Sequence, residues 1–343
     1  MRAIVYDRPG DSSMLEPTER EVAEPGPGEL RVRVVVSGVN PTDWKARRSS
    51  GAGKPAQASV PNQDGAGVVD AVGPGVDGFA VGDRVWLAIS ARDRPASGTA
   101  QEYTVTLAER AFPLPDGVSF DVGASLGVPA VTAHRALTVA EGGPTRLHPG
   151  ALNGRTVLVS GGAGAVGHAA IQLARWAGAT VIATVSSPDK AALATAAGAH
   201  HVINYRDADV VDQIHAIVPD GVDQVVEVAL GANASLDQAV THPLSTIASY
   251  GNDGDKPVTI DFGPAIAANL RYQFVLIYTM GTDAWVAAGE DVTSAARDGA
   301  LAVGESAGLP LHRYRLEETA AAHDAVEGGI IGKVLIDVGA AEA

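Results

Sequence analysis

From Met1 to about Thr106, short β-branched runs alternate with turns, at residues 3–6, 30–36, 67–72, 84–89 and 103–106. Clusters such as Pro25-Gly26-Pro27-Gly28 and Gly73-Pro74-Gly75 punctuate them. Strands this close together, with no helical period between them, predict a compact, barrel-like β domain. The polar Gly/Ala/Ser-rich stretch 47–58 reads as a mobile surface loop.

The character of the chain changes near Asp121. Residues 122–140 read as a helix, with Pro129 either in a first turn or at a kink. A Gly/Pro loop follows over 141–154. Strand and helix patterns then alternate: 156–160, 168–177, 180–184, 188–197, 202–204, 207–218, 222–228, 232–241, 246–250 and 274–279. These strands are nearly all apolar, as strands buried on both faces must be, which predicts a parallel sheet covered by helices. A helix over 285–304, a strand at 313–315, a helix over 317–327 and a strand at 332–338 end the chain. The last strand has no partner in the parallel set, so it is expected to return to the first β domain and make that domain discontinuous.

One stretch carries candidate chemistry. Val157-Leu158-Val159-Ser160 runs into Gly161-Gly162-Ala163-Gly164-Ala165-Val166-Gly167, and an alanine-rich amphipathic segment follows. Gly162, Gly164 and Gly167 fit G-x-G-x-x-G in a strand–turn–helix context, the construction that takes a dinucleotide pyrophosphate on backbone N–H groups at a helix N-terminus. An NAD site would place an acid at the end of the next strand. Here Thr184-Val185-Ser186-Ser187-Pro188-Asp189-Lys190 has none at 184–186. Ser186 can donate a hydrogen bond and Lys190 can supply charge to a 2′-phosphate, which favours NADPH. Ser187-Pro188 also reads as an ordinary helix start.

Composition narrows the picture. Hydrophobic residues make up 46% of the 343, enough for a large soluble core. The net charge of −15 argues against nucleic acid and anionic membranes as partners. There is no cysteine, which excludes disulfides, thiolate metal ligands and cysteine nucleophiles. No apolar leader or spanning segment is visible, so a cytoplasmic location is expected. A serine hydrolase elbow at Ser160 fails because Leu158 stands where a glycine is needed. The histidines, His134, His168 and His215 in separate helices and the adjacent His200 and His201, read as packing or surface residues.

Several motifs in one order resemble the medium-chain dehydrogenase/reductases, in their zinc-free quinone oxidoreductase (ζ-crystallin-like) branch. They are Ser37-Gly38-Val39-Asn40-Pro41-Thr42-Asp43-Trp44-Lys45, Pro61-Asn62-Gln63-Asp64-Gly65-Ala66-Gly67, Gly82-Asp83-Arg84-Val85 and Gly127-Val128-Pro129-Ala130-Val131-Thr132. The glycine turn, His201-Val202-Ile203-Asn204-Tyr205 and Gly332-Lys333-Val334-Leu335 complete the set.

The resemblance implies an α/β protein with a GroES-like β-barrel catalytic domain (1–123 and 309–343) and a Rossmann doubly wound parallel-sheet domain for NADPH (124–308). It implies that Asn40 lies near the nicotinamide or the substrate carbonyl, and that Thr132, Gly251, Leu276 and Tyr278 line the nicotinamide. Gly162, Gly164, Ala165, Val166 and Gly167 would cradle the pyrophosphate, with Ser186, Lys190 and Tyr205 on the adenosine side. Zinc-dependent members carry a cysteine, a histidine and a cysteine where Asn40, Gln63 and Val128 stand, so a catalytic zinc is not expected. Many quinone reductases have a tyrosine at Lys45, and Asn-Pro-x-Asp-x-Lys looks more like relatives that reduce enones. Lys45 is therefore a candidate to stabilise enolate charge, though it also reads as a solvated loop lysine.

The implied activity is hydride transfer from NADPH to a quinone or related conjugated carbonyl. The alternatives are reduction of an enone or alkenal double bond, and a non-catalytic NADPH-binding role. The apolar run Phe274-Val275-Leu276-Ile277-Tyr278 falls last in the parallel set and, by the same resemblance, would join its twin in a homodimer.

Overall fold

The computed structural model describes residues 1–48, 58–92, 94–207 and 209–339. The chain forms two compact units, Met1–Val128 with Pro310–Ala343, and Pro129–Leu309. In chain order the first holds β1 (Arg2–Val5), β2 (Glu16–Glu19), β3 (Glu29–Val39), α1 (Pro41–Arg48), β4 (Asp64–Val72), β5 (Arg84–Leu87), β6 (Tyr103–Leu107) and β7 (Ala111–Pro113). α2 (Phe120–Leu137) leads into the second unit, with β8 (Thr156–Ser160), α3 (Ala165–Trp176), β9 (Thr180–Val185), α4 (Pro188–Ala196), β10 (His201–Asn204) and α5 (Val210–Ile217). β11 (Val222–Glu227), α6 (Leu230–Val240), β12 (Thr241–Ser249), α7 (Phe262–Ala267), β13 (Arg271–Phe274) and α8 (Thr282–Arg297) complete it. β14 (Leu311–Arg315), α9 (Thr319–Glu327) and β15 (Lys333–Asp337) belong to the first unit again.

β3 is the spine of the first unit. One edge pairs antiparallel with β4; the other pairs with β6 over Glu29–Arg33 and with the chain's last strand, β15, over Val36–Val39. Leu30 and Val32 pack with Val69, Val85 and Leu87, while Val34 and Val39 pack with Ile4, Val334 and Ile336, so β3 feeds two cores. Two register shifts against β4 bend the ladder, as bulges do.

The second unit is a six-stranded parallel sheet in the order β10-β9-β8-β11-β12-β13. The order reverses between β8 and β11, the switch point at which such sheets take dinucleotides beyond the strands' carboxyl ends. These inner strands are buried along nearly their whole length, which accounts for the apolar runs in β8 and β9; β11 is equally buried although it carries Gln224 and Glu227. α5 and α6 seat Val210, Ile214, Leu230 and Ala234 on Leu158, Ile182, Val225 and Ile247.

Several expectations change. Arg47 and Arg48, read as loop, are the last turn of α1, and Arg47 is fully buried; residues 49–57 lie outside the described ones. α2 ends at Leu137, and its bend is at Gly127, with Pro129 just beyond in the following turn. The last parallel strand is Arg271–Phe274, not the apolar run 274–279, of which Ile277–Thr279 forms a 3₁₀ turn. α7 was not foreseen, and the helix expected at 285–304 is Thr282–Arg297.

His168 is a packing histidine: its Nε2 lies 2.8 Å from the Ala307 carbonyl oxygen, and burial lowers its pKa to about 4. The folded chain therefore holds this ring neutral at pH values where the unfolded chain, near 6.5, has taken a proton. Its contribution is intact above pH 6.5 and is lost as pH falls toward 4, at about 1.4 kcal/mol per pH unit. His168→Gln, which keeps an N–H for Ala307, should flatten the fall in melting temperature between those pH values. An unchanged slope would place the acid sensitivity elsewhere.

Candidate active site

In the parallel-sheet unit the glycine turn joins β8 to α3 at the switch point. Gly164 is the N-cap of α3 and brings no side-chain cap, and the first intrahelical bond runs from the His168 N–H to the Gly164 carbonyl. The N–H groups of Ala165, Val166 and Gly167 thus lack intrahelical acceptors and crown a positive dipole end. A Cβ on Gly167 would fall onto the Gly161 carbonyl, so only glycine lets the helix start this close to the turn. Gly162 packs against Ala183 and Ile171. The residues present fit a dinucleotide pyrophosphate.

At the end of β9, the Lys190 ammonium donates to Ser186 Oγ at 3.0 Å, while Ser187 caps α4 by accepting from the Lys190 N–H. Ser187-Pro188 is thus the helix start that the sequence suggested, and it sets Lys190 beside Ser186. β10 pairs with β9, and Tyr205, half exposed, continues the ladder through its N–H to the Val185 carbonyl. Ser186 and Lys190 follow β9 and Tyr205 follows β10, at the same end of two adjacent parallel strands. Gly251 follows β12, Thr132 is buried in α2 beyond the bend, and Leu276 and Tyr278 lie just after β13.

A second feature at the switch point was missed. Ser160 Oγ donates to Glu227 Oε2 at 2.6 Å, and the Glu227 carboxylate also accepts from Asn233 Nδ2 and the Ala229 N–H. These bonds tie the end of β8 to the end of β11. Burial, then the neighbouring Glu227, pushes the Asp237 carboxyl well above the usual carboxylate range.

In the β unit, Asn40 directly follows β3 and is buried (2% exposed). Its Nδ2 donates to Asp64 Oδ2 at 2.6 Å, and its Oδ1 accepts from the Lys333 ammonium at 2.7 Å. Lys333 also donates to the Val39 carbonyl, and Asp64 Oδ2 takes the Val128 N–H at 2.8 Å. Asp43, one turn into α1, accepts from the N–H groups of Asn40 (2.7 Å) and Gln63 (3.0 Å). Burial raises the Asp43 and Asp64 carboxyls, Asp43 to about 7 with Asp64 adding repulsion, while burial lowers the Lys333 ammonium against the pull of both acids.

Lys45 does not join this knot. It is exposed on α1, with its ammonium 5.6 Å from the Trp44 ring centroid. The lysine that meets Asn40 is Lys333. The antiparallel register Val334↔Val39 sets it opposite, a long-range pairing that no local pattern announces.

These side chains do not fit a zinc ion. Val128 has no donor side chain, and an ammonium bonded to the Asn40 oxygen would repel a dication there.

A bent antiparallel β unit closed by the chain's end, and a parallel sheet in this order with a glycine turn at its switch point, are the parts of a medium-chain dehydrogenase/reductase. The family model for the alcohol dehydrogenase GroES-like domain matches residues 26–116, and the model described as zinc-binding dehydrogenase matches residues 165–293. The latter span contains none of the three positions at issue for zinc. Quinone oxidoreductase of Rattus norvegicus is 34% identical over 240 residues, 69% of this chain and 69% of that protein. Among solved structures, an NAD-dependent alcohol dehydrogenase is similar with a TM-score of 0.84 at 29% identity, over 99% of this chain and 100% of that one. Escherichia coli quinone oxidoreductase complexed with NADPH has a TM-score of 0.79 at 25% identity, over 98% and 100%. The chain belongs to the zinc-free quinone oxidoreductase family of the medium-chain dehydrogenase/reductases.

Gly167→Ala should displace the start of α3, costing about 1–3 kcal/mol of stability and weakening dinucleotide binding at least about tenfold. Fluorescence titration with the nucleotide and a thermal melt measure the two effects. Unchanged affinity would remove the turn from the binding site.

Proposed function

We propose that the protein is an NADPH-dependent, zinc-independent reductase of quinones and related conjugated carbonyl compounds. The observation that carries the cofactor choice is the Lys190–Ser186 pair at the end of β9, a hydrogen-bonded cation with no acid at 184–186 to repel a 2′-phosphate. Membership in the quinone oxidoreductase family supports the acceptor class.

When bound, NADPH supplies the hydride. The chain's own residues bind, orient and stabilise charge. The N–H groups of Ala165, Val166 and Gly167 hold the pyrophosphate, while Ser186 and Lys190 hold the 2′-phosphate beside Tyr205. Thr132, Gly251 and the backbone at Leu276 and Tyr278 line the nicotinamide. Asn40 donates to the acceptor oxygen, where negative charge develops, and Lys45 adds positive charge from the solvent side of α1.

A homodimer is part of the reading. β13 is a sheet edge exposing Phe274 (68%), followed by exposed Leu276, and nearby α7 exposes Phe262 and Ile266. An unpaired apolar edge is an aggregation hazard unless a partner covers it. None of the described helices is long and apolar enough to cross a membrane, and we place the protein in the cytoplasm.

Oxidation of NADPH, followed by its absorbance with a simple quinone and with a simple enone, tests the activity. We expect turnover with the quinone and hydroquinone as product, and Lys190→Ala should reduce the preference for NADPH over NADH at least about tenfold. Turnover with the enone alone would favour the double-bond reductase, and none with either acceptor would leave a nucleotide-binding protein. An unaltered cofactor preference would sink the assignment of Lys190. Light scattering at micromolar concentration should give twice the chain mass of 34.9 kDa, with Phe274→Glu shifting it to monomer. A monomeric parent chain would refute the dimer.

A further inference from the structure

Amide oxygen and nitrogen look alike, so which end of an asparagine points where must come from its partners. At Asn40 the partners leave no choice. The Lys333 ammonium can only donate, so the atom 2.7 Å from it is Oδ1; the Asp64 carboxylate accepts, so the atom 2.6 Å from it is Nδ2. Both partners are fully buried and cannot swing away. Lys333 is further held by the Val39 carbonyl, and Asp64 by the Val128 N–H. A Cβ on Gly127 would fall onto the Asp64 carboxyl, so this glycine gives the acid the room it occupies.

We propose that Lys333 and Asp64 are positioning residues that lock the Asn40 carboxamide in one orientation, so that it offers the acceptor an N–H and never its carbonyl oxygen. One Nδ2 proton is used on Asp64 and the second is the donor. Oδ1, already on an ammonium, is turned away from the reaction. The acceptor oxygen gains negative charge during reduction, so a flipped amide would place a lone pair against it, replacing stabilisation by repulsion. The lock also explains why a lysine should be buried opposite Asn40. An acid alone could change sides: once protonated it would donate to Oδ1 and hold the flipped amide equally well, whereas an ammonium cannot accept.

The inference rests on the reading that Asn40 acts on the acceptor, and a double-mutant cycle separates the two. Lys333→Met and Lys333→Gln are each combined with Asn40→Ala. Steady-state kinetics are measured with a simple quinone, and NADPH affinity is measured by fluorescence without acceptor. Lys333→Gln keeps a polar partner opposite Asn40 but one that can either donate or accept, so it removes the lock and decides the matter if Lys333→Met does not fold. The expected result is a fall in kcat of about tenfold for each positioning variant. NADPH affinity should stay within about twofold, since removing this lock leaves the nucleotide's own contacts intact. In the Asn40→Ala background neither change should cost anything further. Full activity of Asn40→Ala would remove Asn40 from the reaction. A damaging Asn40→Ala with wild-type kinetics for the foldable positioning variants would overturn the lock, as would effects that simply add in the double variants.

Discussion

One buried ionic knot holds the antiparallel unit together. Asp64 opens β4, Lys333 opens β15, Asn40 directly follows β3, Asp43 lies in the first turn of α1, and Val128 follows the bend in α2. Five elements, from sequence positions almost 300 residues apart, are tied through two carboxylates, one ammonium and one amide. Burying these charges is costly, and their attraction offsets that cost only while each is hydrogen-bonded in good geometry. Removing one member costs more than the knot contributes, because its partners are left charged and dry. The arrangement therefore specifies a geometry more than it supplies stability, and everything that touches Asn40 inherits it.

The parallel-sheet unit works by the opposite logic. Its inner strands are buried along most of their length, and at the switch point it leaves backbone groups unsatisfied. Three N–H groups at the start of α3 face outward with no side-chain cap, and the glycines bring the helix close to the turn. The polar bonds behind the turn, Ser160 to Glu227 and Lys190 to Ser186, hold the ends of β8 and β9 where a long anionic ligand would lie. The β unit gathers two buried carboxylates and an ammonium around one amide; the other unit leaves three helix N–H groups for the ligand.

This difference decides what could be read from the sequence. The parallel sheet was legible because both faces of each inner strand are covered, leaving continuous apolar runs, and because a glycine turn after a strand has a local signature. β13 was displaced in the reading because it is an edge: Arg271 to Phe274 carries the ladder with polar side chains, and the apolar residues come after the pairing. α1 was invisible for a related reason. Its buried residues are Asp43 and Arg47, so the helix has a buried face with no apolar stripe to reveal it. Asn40 was legible as a member of a motif. Lys333 was legible as a member of a motif and of the last strand, but not as the partner of Asn40, because that role arises from a pairing of β15 with β3.

The same pairing bears on the chemistry proposed at this point in the fold. Zinc-dependent relatives would need three ligands where Asn40, Gln63 and Val128 stand. A metal polarises an acceptor oxygen through a dication held at fixed geometry. In the proposed role the fixed positive charge is an ammonium one amide removed, and what it would fix is the direction of a hydrogen-bond donor. Such a donor is a weaker electrophile than a metal, so it suits acceptors whose own conjugation spreads the incoming charge. Quinones and enones are such acceptors; a simple ketone, which localises the charge on one oxygen, is not.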